Sequence, residues 1–239
     1  MTQPPPPDDA THSRAGWVLG IRAMIPFLPG ILVFGASFGA LAAQKGLTLA
    51  QTLAMSGLVF AGASQLVALQ LWTEHWTIGA LAAVAGVVAA VNSRLLLMSA
   101  AFRPWLGPLP AATVYPHLLL LTDVNWAIGI SHRRGGGRDF GIVAGAGVFS
   151  WLLWMVTSLA GFLLGGLVAD PKAWGLDLII IFIFAALAVP AVRRAKRLLP
   201  FAAAAAVSAA VSLIDPGYWF IIGGALAGAL TAFAQDGDD

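Results

Sequence analysis

Apolar runs of roughly 17 to 25 residues, each close to the ~20 that cross a bilayer's hydrocarbon core as a helix, follow one another from Trp17 to Phe233 with only short gaps between them. Hydrophobic residues make up 59% of the chain, charged residues 10%, and the mean hydropathy is +0.85. The predicted fold class is all-α, a polytopic transmembrane helical bundle of about seven or eight spans. Lipid penalises every polar or helix-breaking residue inside such runs, so those residues carry the information about function.

The spans are expected at residues 20–43, 50–72, 76–101, 109–130, 140–168, 175–192, 198–214 and 217–233, numbered 1 to 8. Spans 7 and 8 are short and parted by Asp215-Pro216-Gly217, a turn signature, so a hairpin that does not fully cross is the alternative to two spans. Span 5 is long, about 43 Å at 1.5 Å per residue. It must tilt, project, or break near Gly145, Gly147 or Gly161. Before the spans, residues 1–15 (MTQPPPPDDATHSRA) read as a disordered, uncleaved tail without the apolar core of a signal peptide, and 235–239 as a short polar tail. Residues 16–234 form one integral membrane transport domain on this reading.

Arginines and lysines in short loops orient such a chain. Arg14 and Arg22 lie at span 1, Arg133, Arg134 and Arg138 between spans 4 and 5, and Arg193, Arg194, Lys196 and Arg197 between spans 6 and 7. Eight spans put these clusters on one side, the cytoplasm, with both termini, and leave Lys45, Arg103 and Lys172 on the other. Glycine pairs at four-residue spacing (Gly35/Gly39, Gly141/Gly145, Gly161/Gly165, Gly224/Gly228) suit close helix packing. There is no cysteine, hence no disulfide, thiolate metal site or cysteine nucleophile, and the four histidines lack metal-ligand spacing. The formal net charge of +2 gives no reason to expect nucleic acid.

Three places inside the spans stand out. In span 1, Pro26, Pro29 and Gly30 precede Phe34-Gly35 and Phe38-Gly39. Two prolines and a glycine within five residues are expected to unwind or kink the helix, either as a substrate site or as a simple packing kink. In span 2, Phe60-Ala61-Gly62-Ala63-Ser64-Gln65 places a long amide where an unpaired polar group is costly. Gln65 therefore binds a neighbouring helix, a broken backbone or a ligand. Spans 1 and 2 are thus the expected broken helices. The third place joins Asn92 and Arg94 of span 3 to Asp123 and Asn125 of span 4. Asp123 is a short carboxylate deep in a span, and Arg94 either pairs with it or snorkels to the surface. A direct pair requires a break or an offset, because the expected depths differ by roughly 10 Å. His117, after Pro116, is expected at the outer interface.

The Pro-x-x-Pro-Gly segment, Phe34-Gly35, Phe38-Gly39, the FAGASQ run at residues 60–65, Asn92-x-Arg94 and Thr122-Asp123 together resemble the AzlC family, the large subunits of branched-chain amino acid exporters. The resemblance covers residues 20–130 in order and spacing. It implies export of neutral aliphatic amino acids across the inner membrane, and a small hydrophobic AzlD-type partner subunit. Val124 stands where the family segment often has glutamate, which leaves Asp123 to act alone.

The expected function is a secondary transporter, gradient- or proton-driven, since no phosphate-binding loop is present. Substrate contacts are expected from Pro26, Pro29, Gly30, Phe34, Gly35, Phe60, Gly62, Ala63, Ser64, Gln65, Asn92 and Asn125, and coupling from Asp123 and Arg94. No cofactor or metal is implied; the bilayer, the small partner, the amino acid and a second copy of the chain are the expected partners. Two other classes compete: a non-transporting scaffold subunit, and an intramembrane enzyme, for which no nucleophile–base constellation is visible.

Overall fold

The structure, a computed structural model, describes residues 11–73, 75–107, 109–165, 198–214 and 219–236. The expected span 6, the basic cluster at residues 193–197, the turn at residues 215–217 and most of both tails lie outside the described residues. Among the described residues the regular structure is helical, apart from one isolated bridge joining Thr11 to Asp139.

The chain divides into two compact units, residues 1–65 with 92–169 and residues 66–91 with 170–239. The first is built on α1 (Arg14–Met24), α2 (Leu28–Gln44) and α8 (Gly141–Gly165). Between α1 and α2 lies a single 3₁₀ turn, Ile25–Phe27. The interruption expected in span 1 is therefore present but limited to that 3₁₀ turn, and the two prolines do not unwind the helix further. Pro26 falls in that turn and Pro29 in the first turn of α2, where a helix has no intrahelical acceptor waiting for their missing N–H. Ile25, Phe27 and Leu28 keep right-handed helical dihedrals. Arg14–Gln44 is one of three described helical stretches long and apolar enough to cross a membrane; Ile78–Arg103 and Gly141–Gly165 are the others.

α8 runs parallel to α1 and α2, and glycines set the contact. A Cβ on Gly141 or Gly145 would meet the backbone of Ser13 or Trp17; on Gly161 or Gly165 it would meet Ala36 or Ala40. From the other side, Gly20 faces Ile142, Gly35 faces Thr157 and Gly39 faces the Ser158 carbonyl. Small residues let the two backbones approach where lipid offers no hydrophobic drive for association. The glycines of α8 thus seat a neighbour, and the helix continues unbroken to Gly165.

Spans 2 and 4 are each split. α3 (Leu49–Leu58) starts on a Thr48–Gln51 capping box and stops at Val59; α4 (Gly62–Gln70) follows. α5 (Ile78–Leu106) is continuous. α6 (Ala111–Leu118) and α7 (Asp123–Arg134) are separated by residues 119–122. α5 ends and α7 ends at the same place: the Trp105 indole N–H donates to the Arg138 carbonyl at 3.0 Å, and the Arg133 guanidinium lies 5.5 Å from the Trp105 ring. Between those ends the chain reaches Gly147, which Leu120 and Asn125 touch. That is six residues, about 9 Å, beyond the start of α8. Segment 111–134 therefore enters and leaves at one end of the unit. It does not cross, contrary to the expectation for span 4, and hydropathy alone could not reveal this because its length and apolarity match a span.

This geometry also moves a charge. Arg103, expected opposite the other clusters, sits in the last turn of α5 beside Trp105, at the end shared by Arg14, Arg133, Arg134 and Arg138. His117 lies there too, against Phe140 and Trp17, and not at the opposite interface.

In the second unit, α9 (Leu198–Ile214) and α10 (Trp219–Asp236) pack as an antiparallel hairpin. The Ser208 hydroxyl donates to the Phe220 carbonyl at 3.0 Å, and Gly228 faces Ala204 and Pro200. At about 26 Å, each helix is slightly shorter than a typical hydrocarbon core.

Candidate functional site

The first interruption, residues 59–61, lies beside the middle of α8. Val59 leaves helical geometry (φ −119°, ψ 67°) and the chain turns tightly, the Ala61 N–H donating to the Val59 carbonyl at 2.8 Å. Three aromatic rings surround Trp154: Phe34 at 5.6 Å, Phe38 at 6.1 Å and Phe60 at 6.2 Å between centroids. Gly62 is required here, because a Cβ would lie 2.6 Å from the Trp154 ring and 2.7 Å from Phe34. Gly35 closes the other side against Thr157 and Trp154.

Gln65, one turn into α4, is fully buried (0% exposed). Its Nε2–H donates to the Met55 carbonyl of α3 at 2.8 Å, which ties the two half-helices together. Its Oε1 has no partner. Ser64 spends its hydroxyl on the Ala61 carbonyl (2.9 Å). Trp154, 4% exposed, likewise has an indole N–H without a partner. An unpaired buried polar group costs about 1–3 kcal/mol, and two of the four such side-chain atoms among the described residues, an acceptor and a donor, belong to α4 and to the ring packed on its first residue.

The second interruption is organised differently. Thr122 caps α7 by accepting from the Asn125 N–H (3.4 Å), and Asn125 Oδ1 accepts the Thr122 N–H (2.7 Å). The Asn125 amide also donates to the Leu120 carbonyl at 2.8 Å. Asn125 is buried and committed to holding this turn, so it does not line an open site as expected. Asp123, the first residue of α7, meets Arg94 at 3.0 Å, with side chains 52% and 45% exposed. The break places the tip of the hairpin level with Arg94 and so removes the expected depth mismatch. The α7 N-terminus adds favourable dipole for the carboxylate, and the Trp126 indole N–H bonds the Met98 carbonyl (3.1 Å), fixing α7 on α5.

The structure therefore brings together Phe34, Gly35, Phe60, Gly62, Ser64 and Gln65, and separately Arg94, Asp123 and Asn125. Ala63 is half-buried beside Gly62 in α4's first turn. Asn92 is half-buried with Oδ1 unpaired, but two residues from Arg94 on one helix it faces about 200° away. Pro26, Pro29 and Gly30 are exposed, and a Cβ on Gly30 would meet nothing within 4 Å; they stand apart from the aromatic cluster. A groove of about 740 Å³ lies at the arginine end between α1 and α7, lined by Leu19, Phe27, Ile128 and His132 among others, and includes none of the expected site residues. Among the described residues no three His, Asp or Glu side chains are placed to hold a metal. Sequence reasoning missed Trp154, which carries no signal beyond being an aromatic in an apolar helix. It also missed the cap, although Thr-Asp-Val-Asn has the spacing of a capping box.

The sequence model of the AzlC protein family matches residues 26–168, which span α2 to α8 and both interruptions. The chain belongs to the AzlC family. That family is associated with transport, specifically of branched-chain amino acids, and the matched region coincides with the first unit's interrupted helices. No curated protein and no solved structure matches the chain.

Proposed function

We propose that this AzlC-family protein is a secondary transporter that exports branched-chain, neutral aliphatic amino acids across the inner membrane, working with a small hydrophobic AzlD-type subunit. The observation that carries the reading is the buried, unpaired Gln65 Oε1 at a helix broken beside the middle of α8. Irregular backbone at membrane depth is tolerated where it is buried in protein or lines a cavity, and transporters bind small zwitterions at such breaks. The ring cluster of Phe34, Phe38, Phe60 and Trp154 supplies the apolar surface that an aliphatic side chain needs.

The arginine-rich end is assigned to the cytoplasm by the positive-inside rule, and regrouping Arg103 with Arg14, Arg133, Arg134 and Arg138 strengthens that assignment. The Arg94–Asp123 pair at the tip of the 111–134 hairpin is the coupling element in this reading. One charge moved through 100 mV supplies about 2.3 kcal/mol, enough for about fifty-fold accumulation. The test is efflux of several labelled aliphatic amino acids from proteoliposomes, with and without an uncoupler and with and without the small subunit. Saturable efflux that favours leucine, isoleucine or valine supports the reading; no saturable binding or flux under any of these conditions makes the chain a scaffold subunit instead.

A further inference from the structure

Four tryptophans of the first unit place their indole N–H on a protein acceptor: Trp17 on His12 (3.2 Å), Trp105 on the Arg138 carbonyl (3.0 Å), Trp126 on the Met98 carbonyl (3.1 Å) and Trp151 on the Gly57 carbonyl (3.1 Å). Trp154, one turn from Trp151 on the same helix and more deeply buried, has none. The six-membered edge of the same indole packs on Gly62, the first residue of α4, where an added Cβ would lie 2.6 Å from Cη2. The first N–H groups of a helix lack intrahelical acceptors and carry the positive end of its dipole. Three residues further along α4 is the opposite kind of vacancy, the Gln65 Oε1 acceptor, on a side chain whose Nε2 is anchored on Met55.

We infer that Trp154 is a substrate-binding residue: its indole N–H, with the amides that open α4 at Gly62 and Ala63, receives the carboxylate of a free α-amino acid, while Gln65 Oε1 receives its ammonium. This inference rests on the transport reading above and adds to it the way the zwitterion is held. A donor pole and an acceptor pole together distinguish an α-amino acid from an aliphatic amine or a fatty acid, each of which satisfies one pole and leaves the other buried and unpaired. Neither pole carries a formal charge, which suits a substrate that is itself net neutral. The aromatic rings around Trp154 bear the side chain.

The experiment measures equilibrium binding to the full-length protein in detergent or nanodiscs. The probes are L-leucine, 3-methylbutan-1-amine (leucine without its carboxylate) and 4-methylpentanoate (leucine without its ammonium). Trp154→Phe keeps an aromatic ring and removes the donor. A lost hydrogen bond to a charged group corresponds to roughly a 10- to 100-fold change. Trp154→Phe is expected to weaken leucine and 4-methylpentanoate by about that factor and to leave the amine unchanged, while Gln65→Leu weakens leucine and the amine. In the unmutated protein the indole ¹⁵N–H resonance of Trp154 is expected to move on adding leucine or 4-methylpentanoate and to stay still with the amine, a readout independent of how well the variant folds. Unchanged leucine affinity in Trp154→Phe, or a resonance that does not respond to bound leucine, overturns the role of Trp154 and leaves the transport reading standing. An unmutated protein that binds no aliphatic amino acid overturns both.

Discussion

The interruption at residues 59–61 and the one at residues 119–122 expose backbone at membrane depth in the same unit, yet they treat it in opposite ways. At the second, a reciprocal Thr122–Asn125 cap and the Asn125–Leu120 bond satisfy the freed groups, and the one pair of charges is closed by Arg94 and Asp123. At the first, apolar rings pack the turn, and a buried acceptor on Gln65 and a buried donor on Trp154 are left without partners. A turn whose polar groups are all engaged is built to hold shape. One that keeps complementary groups unengaged has an interaction in reserve for something that is not part of the chain.

The largest expected effect follows from that difference. Gln65→Leu removes the unpaired acceptor at nearly constant volume but also deletes the Nε2–Met55 hydrogen bond, so the two effects on stability oppose each other, each on the order of 1 kcal/mol. Transport should fall to background, while the denaturation midpoint should move little. A loss of stability with transport retained would make Gln65 a mere tie between α3 and α4. At the other interruption the sign reverses. Asn125→Leu removes the side-chain half of the capping box and leaves the Thr122 N–H and Leu120 carbonyl unpaired, which should destabilise by about 2–4 kcal/mol. In that variant, transport per folded molecule should change little. Chemical denaturation combined with flux normalised to folded protein separates the two outcomes.

Much of this contrast was legible in the sequence, and the failures have specific causes. The helical membrane class, the Gln65 break and the glycine pairs followed from hydropathy length, one costly amide and small-residue spacing, all local signals. At residues 26–30 the interruption was legible but not its small extent, because a proline breaks a helix only where its N–H is needed, and near a helix start it is not. Segment 109–130 passed as a crossing because apolarity records burial in lipid or protein, not direction. The cap at Thr122 is the cue that would have shown the turn. Trp154 was invisible because its significance lies in a missing partner, which only coordinates can reveal.

A smaller effect is expected at the ion pair. Asp123→Asn keeps the shape and removes the charge, and for a half-exposed pair the stability change should be within about 1 kcal/mol. The turnover rate should fall several-fold and lose its response to a pH gradient if the pair couples transport to protons, and a double-mutant cycle with Arg94→Gln should show the two residues acting as one. An unchanged response to the gradient would reduce the pair to a second structural tie at the already satisfied break.

The smallest effect concerns the arginine-rich end that supports both interruptions. Burial, and then the neighbouring His12, hold the His117 pKa below its ordinary 6.5. Burial tends to raise Asp139, but hydrogen bonds from the Ser13 side chain and backbone and from the Gly141 N–H, with His12 nearby, bring it below its ordinary 3.8. For both groups the unfolded chain binds protons first as the pH falls. The His117 contribution is therefore present above about pH 6.5 and lost below it, and the Asp139 contribution follows below about pH 4. A thermal-shift profile against pH should show a shallow acid-side decline that His117→Gln flattens in its upper part and leaves intact in its lower part.

Substrate access to the turn at residues 59–61 is what the proposed transport depends on most directly. The chain contains no cysteine, so a single Ala63→Cys variant in proteoliposomes reports directly on access to that turn, with Gly30→Cys on the exposed face of α2 as the control. Modification of Cys at position 63 by a small polar thiol reagent, slowed by saturating L-leucine while the control is unaffected, is the predicted result. A folded variant whose thiol stays inert from both sides of the membrane, or reacts at the same rate with and without leucine, contradicts it.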